Sequence, residues 1–259
     1  MKLMNPSTLE KWLPPHSLEW YNQLSKLQGE YEYSWDSTRT EPNGESNFDL
    51  EVLHNIVNKK VLDVGCGHGE FTIKCSSFAK EIVGFDATEN FVHIGNQAKG
   101  KNVSFIVGNT KNGLPFRTEE FDFVYNRKGP TSAYPSISRV LKKSGKFIGL
   151  HPGDASGKEL PILFPNLFDE LQGTPILNTL NQRLESSEFL QWEVEVVNSV
   201  EYLHTPLDVV KMRCFGQRPE IYKTVKELNL AIISKVFNQN ATHRGLLITF
   251  SRYIVRANV

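Results

Sequence analysis

A glycine-rich segment is the strongest chemical signal in this 259-residue sequence. The run VLDVGCGHGE places Gly65, Gly67 and Gly69 directly after a short apolar stretch, and Asp63 stands two residues before the first glycine. Glycine lets a backbone approach a ligand closely and adopt conformations that a Cβ would forbid. Asp86 ends the next apolar stretch, EIVGFD, where a carboxylate can accept hydrogen bonds from both hydroxyls of a ribose. The spacing therefore predicts a binding site for an adenosine-containing ligand.

Two classes of adenosine ligand use such a turn, dinucleotides and S-adenosylmethionine. The dinucleotide fingerprint is GxGxxG, whereas this turn is GxGxG, because Gly69 comes one residue early. The negative charge of Asp63 would repel a pyrophosphate, but it would attract an α-ammonium and a sulfonium. The pattern therefore favours S-adenosylmethionine. Two alternatives stay open: a nicotinamide-dependent dehydrogenase, and glycines that serve only a tight strand-to-helix turn.

The elements that must position this turn alternate along the chain from residue 60 to residue 151. The apolar runs that predict strands are KVLDV, EIVGFD, VSFIVGN, FDFVYN and GKFIGLH. The segments that predict helices between them are EFTIKCSSFA, ATENFVHIGNQAK and SAYPSISRVLKK. Strands joined by such short helical crossovers form a parallel sheet. We therefore predict an α/β fold with a doubly wound, mostly parallel sheet.

The segment before residue 58 predicts two helices separated by a loop. The first helix ends at Gly29, and its apolar positions recur at helical spacing, at Leu18, Tyr21, Leu24 and Leu27. The polar stretch that ends in PNGESN predicts a loop. The second helix, DLEVLHNIV, has Asn47 or Asp49 as its candidate N-cap.

The last hundred or so residues predict two further strands and a helical cap. The long β-rich runs WEVEVVNSVEYL and GLLITFSRYIVRA are assigned to the last two strands of the same sheet. The predicted helices are PILFPNLFDELQ, PLDVVKMRCFGQ and PEIYKTVKELNLAIISKVF. We expect an N-terminal helical extension or lid over residues 1–57 and a ligand-binding domain over residues 58–259, with cap helices within about 152–240.

Five successive blocks of the sequence resemble a known family. VLDVGCGHGEFT, EIVGFDAT, GNTKNGLPF, FDFVYNR and RVLKKSGKFI resemble the motifs of class I S-adenosylmethionine-dependent methyltransferases. The resemblance covers roughly residues 58–150 and is greatest to the methyltransferase type 11 group, which includes the ubiquinone and menaquinone methyltransferases. It implies a Rossmann-like sheet of seven strands in the order 3-2-1-4-5-7-6, with strand 7 antiparallel. It also implies that the chain is an enzyme and that S-adenosylmethionine is its cofactor.

The resemblance also implies which residues contact the cofactor. These are Asp63, Gly65, Cys66, Gly67, Asp86, Ala87, Asn109, Thr110 and Asn126. Within this set, Asp63 and the glycines are expected at the methionine end and Asp86 at the ribose. Asn109 departs from the family, which commonly has an acidic residue at that position beside the adenine amino group. The amide oxygen of Asn109 can still accept a hydrogen bond from that amine, but it lacks the charge.

Methyl transfer from a sulfonium is an in-line displacement, so the enzyme must align the reactants and exclude water. A general base is needed only when the acceptor carries a proton at the working pH. Two candidates for catalytic roles are His151, directly after the fifth strand, and Arg127, at the end of the fourth. A packing role for the histidine and a surface role for the arginine are the alternatives.

Other chemistry-bearing side chains have two interpretations each. Aromatic side chains in the segment before residue 36 predict either a lid over the sulfonium or packing of the first helix: Tyr31, Tyr33 and Trp35. His204 and His243 are interpreted as structural, because no metal-ligand spacing joins them, and no metal site is expected. A basic run between Arg127 and Lys146 is either a phosphate-binding surface or a solvated face.

Composition narrows the partner and the compartment. Lys and Arg together number 29, as do Asp and Glu, so the formal net charge is zero, which disfavours a dedicated nucleic-acid binder. No apolar run is long enough to span a membrane, and the first residues lack the apolar region of a signal peptide. The three cysteines form no CxxC pair and predict reduced thiols in a cytoplasm. We expect a small-molecule acceptor, with an RNA methyltransferase and a non-catalytic cofactor-binding protein as alternatives; the sequence carries no signal for an oligomeric state.

Overall fold

The computed structural model describes residues 2–259. Its strands are β1 (Ser37–Arg39), β2 (Lys60–Val64), β3 (Glu81–Asp86), β4 (Val103–Val107), β5 (Phe121–Arg127), β6 (Leu141–Pro152), β7 (Gln191–Leu203) and β8 (Leu246–Asn258). Its α-helices are α1 (Leu18–Gln28), α2 (Gly44–Asn55), α3 (Glu70–Ser76), α4 (Glu89–Ala98), α5 (Tyr134–Val140), α6 (Leu160–Leu163), α7 (Pro175–Glu185), α8 (Pro206–Arg213) and α9 (Pro219–Asn240). Short 3₁₀ helices lie at Pro6–Thr8, Thr110–Asn112 and Thr131–Ala133.

The strands form one mixed sheet in the order β1-β7-β8-β6-β5-β2-β3-β4. The pairs β2–β3, β3–β4, β2–β5 and β5–β6 are parallel, whereas β6–β8 and β1–β7 are antiparallel. The predicted α/β class is confirmed. Across the described residues the sheet has eight strands instead of the predicted seven, because the segment predicted as a loop pairs Ser37–Arg39 with 201–203.

The chain divides into two compact units, and strands β7 and β8 contribute to both. We call residues 44–154, 174–197 and 252–259 the core unit, and the remainder, up to Asn43 and over 155–173 and 198–251, the flanking unit. These limits are those of compactness, and the sequence-based domain limits at residues 57 and 58 stay a prediction.

Both faces of the sheet in the core unit are apolar. Along β2 and β5, Leu62 and Val124 belong to one buried cluster, while Val61 and Phe123 belong to the other. This alternation follows from the period of two along a strand. Helices α5 and α7 contribute side chains to the first cluster and α2 and α4 to the second. The strands therefore consist of nearly continuous apolar residues, as strands covered on both faces do.

The flanking unit has its own apolar core around α8 and α9, including Val210, Val225 and Ile233. Two buried amide side chains hold the N-terminal segment in this unit. Asn229 accepts from the Met4 backbone nitrogen at 2.7 Å and donates to the Met4 carbonyl at 3.3 Å. Gln217 makes the same pair of hydrogen bonds with the backbone of Leu13, at 3.2 and 2.7 Å.

Two predicted helices near the N-terminus differ in detail from the structure. Helix α1 ends at Gly29 as predicted, with φ of 78° at that glycine. Its buried face carries Trp20 and Leu24, whereas Leu18 and Leu27 are exposed. Helix α2 begins at Gly44. The prediction of an N-cap at residue 47 or 49 is therefore wrong, because the turn residues before it already enter the helix.

Three further element predictions need correction. The helix predicted over SAYPSISRVLKK ends at Val140, and β6 begins at the next residue. The helix predicted over PILFPNLFDELQ is reduced to Leu160–Leu163, because Pro165 follows and cannot donate the hydrogen bond that would extend it. Helix α7 was not predicted. Within residues 2–259 no helix is long and apolar enough to cross a membrane.

Candidate functional site

The glycine turn follows β2 and opens α3. Gly65, Gly67 and Gly69 all have positive φ, of 80°, 56° and 87°. A Cβ at Gly65 would collide with the neighbouring loop at Gly129, and one at Gly69 would collide with the ring of Phe105. A Cβ at Gly67 would meet no atom within 4 Å. Two of the glycines are therefore required by packing, and Gly67 faces open space that a ligand can approach.

Asp86 holds the turn in place. Its Oδ2 accepts from the backbone nitrogen of Gly67 at 2.9 Å, and its Oδ1 accepts from that of Thr88 at 2.8 Å. Burial raises the pKa of Asp86 although these backbone hydrogen bonds, and one from Ala87, act to lower it. Because a carboxylate already occupies the Gly67 amide, that group is not directed at a phosphate. The turn therefore fits a pyrophosphate poorly.

Asp63 lies near the end of β2 and is buried, with 2% of its surface exposed. Its Oδ2 accepts from the hydroxyl of Thr72, on α3, at 2.6 Å. Its Oδ1 is buried and has no hydrogen-bond partner within the described residues. Burial raises the pKa of Asp63 to about 7; Thr72 and Tyr125 act against this shift. The carboxyl group therefore has one clear hydroxyl donor, fewer partners than usually accompany a buried charge.

The residues predicted beside the adenine make local hydrogen bonds. The side chain of Asn109 accepts from the backbone nitrogen of Lys111 at 3.0 Å and caps the 3₁₀ turn that begins at Thr110. The Thr110 hydroxyl lies 2.7 Å from that of Ser132. Both residues follow β4, so they lie at the same edge of the sheet as the ends of β2 and β3.

Asn126 and Cys66 are also engaged in the loops around the glycine turn. Asn126 is fully buried; its Oδ1 accepts from the Gly129 nitrogen at 2.8 Å and its Nδ2 donates to the Pro130 carbonyl at 3.1 Å. It therefore closes the loop that packs against Gly65. The Cys66 thiol points back to the Gly67 carbonyl at 3.6 Å, and burial raises its pKa well above the usual value. The thiol stays protonated at neutral pH.

Arg127 is committed to an ion pair. Its guanidinium donates twice to the Asp49 carboxylate, at 2.8 and 3.1 Å, and lies 4.0 Å from Glu45 on the same helix, α2. It also lies 5.0 Å from the centre of the Phe71 ring. Burial lowers the pKa of Arg127, and the acidic neighbours more than offset that effect. The guanidinium thus fastens α2 to the end of β5.

His151 is buried near the end of β6, 3% exposed. Its Nε2 lies 2.6 Å from the hydroxyl of Tyr134, which is fully buried at the start of α5. Burial lowers the pKa of His151 to about 3. The imidazole is therefore neutral at neutral pH, and the tyrosine hydroxyl occupies one of its nitrogens.

The aromatic residues before residue 36 pack together within the flanking unit. Tyr33 and Trp35 stack with their ring centres 4.3 Å apart. The ring centre of Phe215 lies 5.3–5.7 Å from the ring centres of Tyr31, Tyr33 and Trp35. Trp20 donates its indole hydrogen to the Phe215 carbonyl at 3.0 Å. These contacts fit the packing interpretation, and a lid role stays a prediction.

The basic run is largely engaged by neighbouring groups. Lys128 lies 3.3 Å from Glu45, and Lys142 lies 2.7 Å from Asp122. Arg139 donates to two carbonyls of the preceding loop, at 2.6 and 2.7 Å. These contacts fit the interpretation of the run as a solvated face, which stays a prediction.

Of the two histidines assigned to structure, one has side-chain partners and the other is exposed. His204 lies 2.8 Å from the Thr38 hydroxyl and 3.1 Å from Asp36, and His243 is exposed. In the part of the chain that the structure describes, no three His, Cys, Asp or Glu side chains are placed to hold a metal ion.

Sequence reasoning missed the closest neighbours of Asp63. Tyr125 lies directly across from Asp63 in the register of β2 and β5, and Thr72 faces it from α3. The pattern FDFVYN presents Tyr125 as one more core aromatic. The register between the two strands is the signal that identifies it, and a single sequence does not contain that register.

Comparison with known proteins agrees with this geometry. Residues 62–149 match the family model described as a methyltransferase domain. In an alignment of 99 residues that covers 34% of this chain, the chain is 34% identical to an uncharacterized methyltransferase, YcgJ, of Bacillus subtilis (strain 168). In an alignment of 112 residues that covers 39% of this chain, the chain is 31% identical to a demethylmenaquinone methyltransferase of Staphylococcus haemolyticus (strain JCSC1435). The matches span only 39% and 46% of these relatives' lengths.

A solved structure extends the likeness of the fold beyond that segment. A functionally unknown protein from Deinococcus radiodurans R1 superposes with a TM-score of 0.62 at 18% identity, covering 93% of this chain and 99% of the other. The resemblance drawn from the sequence is thus confirmed for residues 62–149, which match a methyltransferase domain.

Proposed function

We propose that this chain is a methyltransferase that transfers the methyl group of S-adenosylmethionine to a small-molecule acceptor by in-line displacement. The observation that carries the proposal is the pairing of open space at Gly67 with two carboxyl groups, Asp63, which is buried, and Asp86, which is half-buried. A site of this kind suits a ligand that is cationic and free of phosphate, because the Asp63 Oδ1 has no hydrogen-bond partner among the described residues and a cation would complement its charge.

We assign Asp63 to the α-ammonium of the cofactor, Asp86 to its ribose, and Asn109 with Thr110 to its adenine. The assignment of Asp63 is supported by its unpartnered Oδ1. That of Asp86 is supported by its place at the end of β3, next to the glycine turn. Gly65, Cys66, Gly67, Ala87 and Asn126 complete the proposed wall as backbone or loop-closing groups.

The bound cofactor would supply an activated methyl group, so the chain's task is alignment and the exclusion of water. The loop closed by Asn126 and the turn held by Asp86 fix the wall on which alignment depends. For His151 and Arg127, the candidates for catalytic roles, we propose positioning roles. His151 is neutral and bonded to Tyr134, and Arg127 is paired with Asp49.

The family's strand order supports the same proposal. If β2 to β8 are taken as the seven family strands, β1 is an addition at the edge of the sheet. The segment 1–57 would then act as a lid, and the helices within about 152–240 as a cap that selects the acceptor.

We place the protein in the cytoplasm, on the evidence of its cysteines without a CxxC pair.

A small-molecule acceptor is supported by the partnered basic run and by the zero net charge. A relative named for demethylmenaquinone is consistent with such an acceptor. An RNA acceptor and a binding protein without catalysis are the alternatives. Steeply salt-dependent RNA binding would favour the first, and cofactor binding without S-adenosylhomocysteine release across a broad acceptor panel would favour the second.

Calorimetric titration of the protein with S-adenosylmethionine, S-adenosylhomocysteine and NADH tests the proposal. We expect micromolar binding of the two adenosyl ligands and none of NADH. In Asp86→Ala, affinity should fall by roughly ten- to a hundredfold, because charge-assisted hydrogen bonds are lost. Asp122→Ala is the matched control, since that carboxylate also accepts a backbone hydrogen bond but lies at the other end of β5. NADH binding alone, or equal affinity of both variants, would overturn the assignment.

A further inference from the structure

Tyr125 and Asp63 form a buried pair on neighbouring strands. They are direct register partners in the parallel pairing of β2 with β5, so their side chains leave the same face of the sheet. Tyr125 is 0% exposed and Asp63 2%. Within residues 2–259, neither the Tyr125 hydroxyl nor the Asp63 Oδ1 has a partner at full hydrogen-bond geometry, although the two groups are close enough to interact with each other. Two adjacent unsatisfied polar groups in a core are rare in native proteins and demand an explanation.

The surroundings leave the pair few other partners. On the other side of Asp63 the register partner is Gly84, which has no side chain. Tyr125 is enclosed by the rings of Phe48 and Phe71, with ring centres 6.4 and 5.6 Å away. Thr72 supplies one hydrogen bond to Asp63, at 2.6 Å.

The charged and titratable groups around Asp63 come from several elements. Burial raises its pKa to about 7 and Asp86 adds to that shift; the hydroxyls of Thr72 and Tyr125 and the charge of Arg127 oppose it. The remaining titratable neighbours, Cys66 and Cys75, are thiols whose pKa burial raises, so they stay neutral. No cation in this set is free to neutralise the carboxylate, because Arg127 is paired with Asp49.

We propose that Tyr125 is a positioning residue for the cofactor: with Asp63 it forms a pair that carries a proton in the free protein and releases it when the cationic cofactor binds. The inference rests on the proposed function. On binding, the proton leaves the Asp63 carboxyl for solvent, and the carboxylate then faces the ligand's ammonium. The Tyr125 hydroxyl keeps its own proton, since burial raises its pKa well above the usual value, and it donates to the carboxylate.

The proposal fixes the pH dependence of binding. Below about pH 7 the free carboxyl group must lose a proton, so affinity should rise about tenfold for each pH unit up to that point and then level off. The amine of the ligand has an ordinary α-amino pKa of about 7.7–8.0, so it stays charged over this range. Tyr125→Phe removes the donor, which raises the pKa of Asp63 further and moves the profile to higher pH.

The experiment is calorimetry with S-adenosylhomocysteine between pH 5.5 and 7, in buffers of different ionisation enthalpy, which counts released protons. Wild type should release close to one proton at the acidic end, and Asp63→Asn none. Tyr125→Phe should bind about tenfold more weakly at pH 7 and approach wild type at higher pH. Tyr253→Phe, a buried tyrosine bonded to Asp154, is the matched control and should keep the wild-type profile.

A second measurement reports on the free protein directly. A protonated carboxyl band in the infrared spectrum near neutral pH should disappear when ligand is added, and it should be absent in Asp63→Asn. Binding without proton release and without this band would overturn the inference while leaving the proposed function intact. If neither S-adenosylmethionine nor S-adenosylhomocysteine binds at any pH, both this inference and the proposed function are overturned.

Discussion

Replacing Asp63 by asparagine is expected to stabilise the free protein, increasingly so as the pH rises. The pKa of Asp63 is raised by burial from 3.8 in a model peptide to about 7 in the fold. Between these values the native state keeps a proton that the unfolded chain has lost. Stability therefore falls with rising pH, by about 1.4 kcal/mol per unit for this one group.

The magnitude follows from the interval over which the two states differ. From pH 5 to pH 7 the contribution of Asp63 to the free energy of unfolding drops by ~2 kcal/mol, and above pH 8 it stays low. The amide introduced by Asp63→Asn does not titrate, but its oxygen can still accept from Thr72. The difference in stability between Asp63→Asn and wild type should therefore grow by ~2 kcal/mol between pH 5 and pH 7.

Urea denaturation followed by tryptophan fluorescence at pH 5, 6, 7 and 8 measures this difference. Asp122→Asn is the control. Burial acts to raise the pKa of Asp122, but Lys142 and the Lys60 backbone nitrogen outweigh it and hold that pKa below the usual value. Its contribution is lost only below pH 4, so its difference from wild type should stay constant over the assay. A constant or shrinking difference for Asp63→Asn would refute the argument.

Three further outcomes are expected. Gly69→Ala should lower the free energy of unfolding by more than ~2 kcal/mol, because φ is positive there and the new Cβ would meet the ring of Phe105. Gly67→Ala should lower it by only ~1 kcal/mol but should weaken binding of S-adenosylmethionine. Equal losses of stability in urea denaturation would contradict this. Asp154→Ala should cost ~1–3 kcal/mol, since Asp154 accepts two backbone hydrogen bonds at the start of α7, and Asp154→Asn should recover part of it in the same assay. The His151 ring should show no titration by NMR between pH 5 and pH 8, because its pKa lies at about 3; a midpoint within that range would show that the ring is hydrated.

The strands around the glycine turn were predictable because their signals are local. Each of β2, β3 and β5 is a short run of apolar residues, and a sheet covered on both faces imposes that pattern on its strands. The turn residues are also local, since a positive φ at Gly65 and Gly69 demands glycine within a few positions of the strand end.

Elements that depend on distant partners were not predictable. Strand β1 has only the residues Ser37–Arg39 and pairs with a strand more than 160 residues away. Helix α7 is a different case: Ile176, Leu177, Leu180 and Leu184 recur at helical spacing, so the sequence does carry a local signal for it and the helix was missed. Its first turn is also held by Asp154, which lies 22 residues before Ile176.

The candidate site divides in the same way. Asp63, Gly67 and Asp86 were found from spacing, because each stands at a strand end or in a turn. The pairing of Arg127 with Asp49 joins residues 78 positions apart, and it changes the interpretation of that arginine from a ligand contact to an anchor for α2. Charge alone could not show which of the two roles applies.

The contrast between these two ionic groups is the argument for a ligand at Asp63. Arg127 is half-buried with a bidentate partner, so its charge is satisfied by the fold itself. Asp63 is buried with one hydroxyl donor, an unpartnered oxygen and a second carboxyl group nearby. A tight turn alone would be more stable with an uncharged residue there, because an unpaired buried charge destabilises a fold. Under the proposed function, the α-ammonium and sulfonium of S-adenosylmethionine would supply the missing counter-charge, whereas a pyrophosphate would make the imbalance worse.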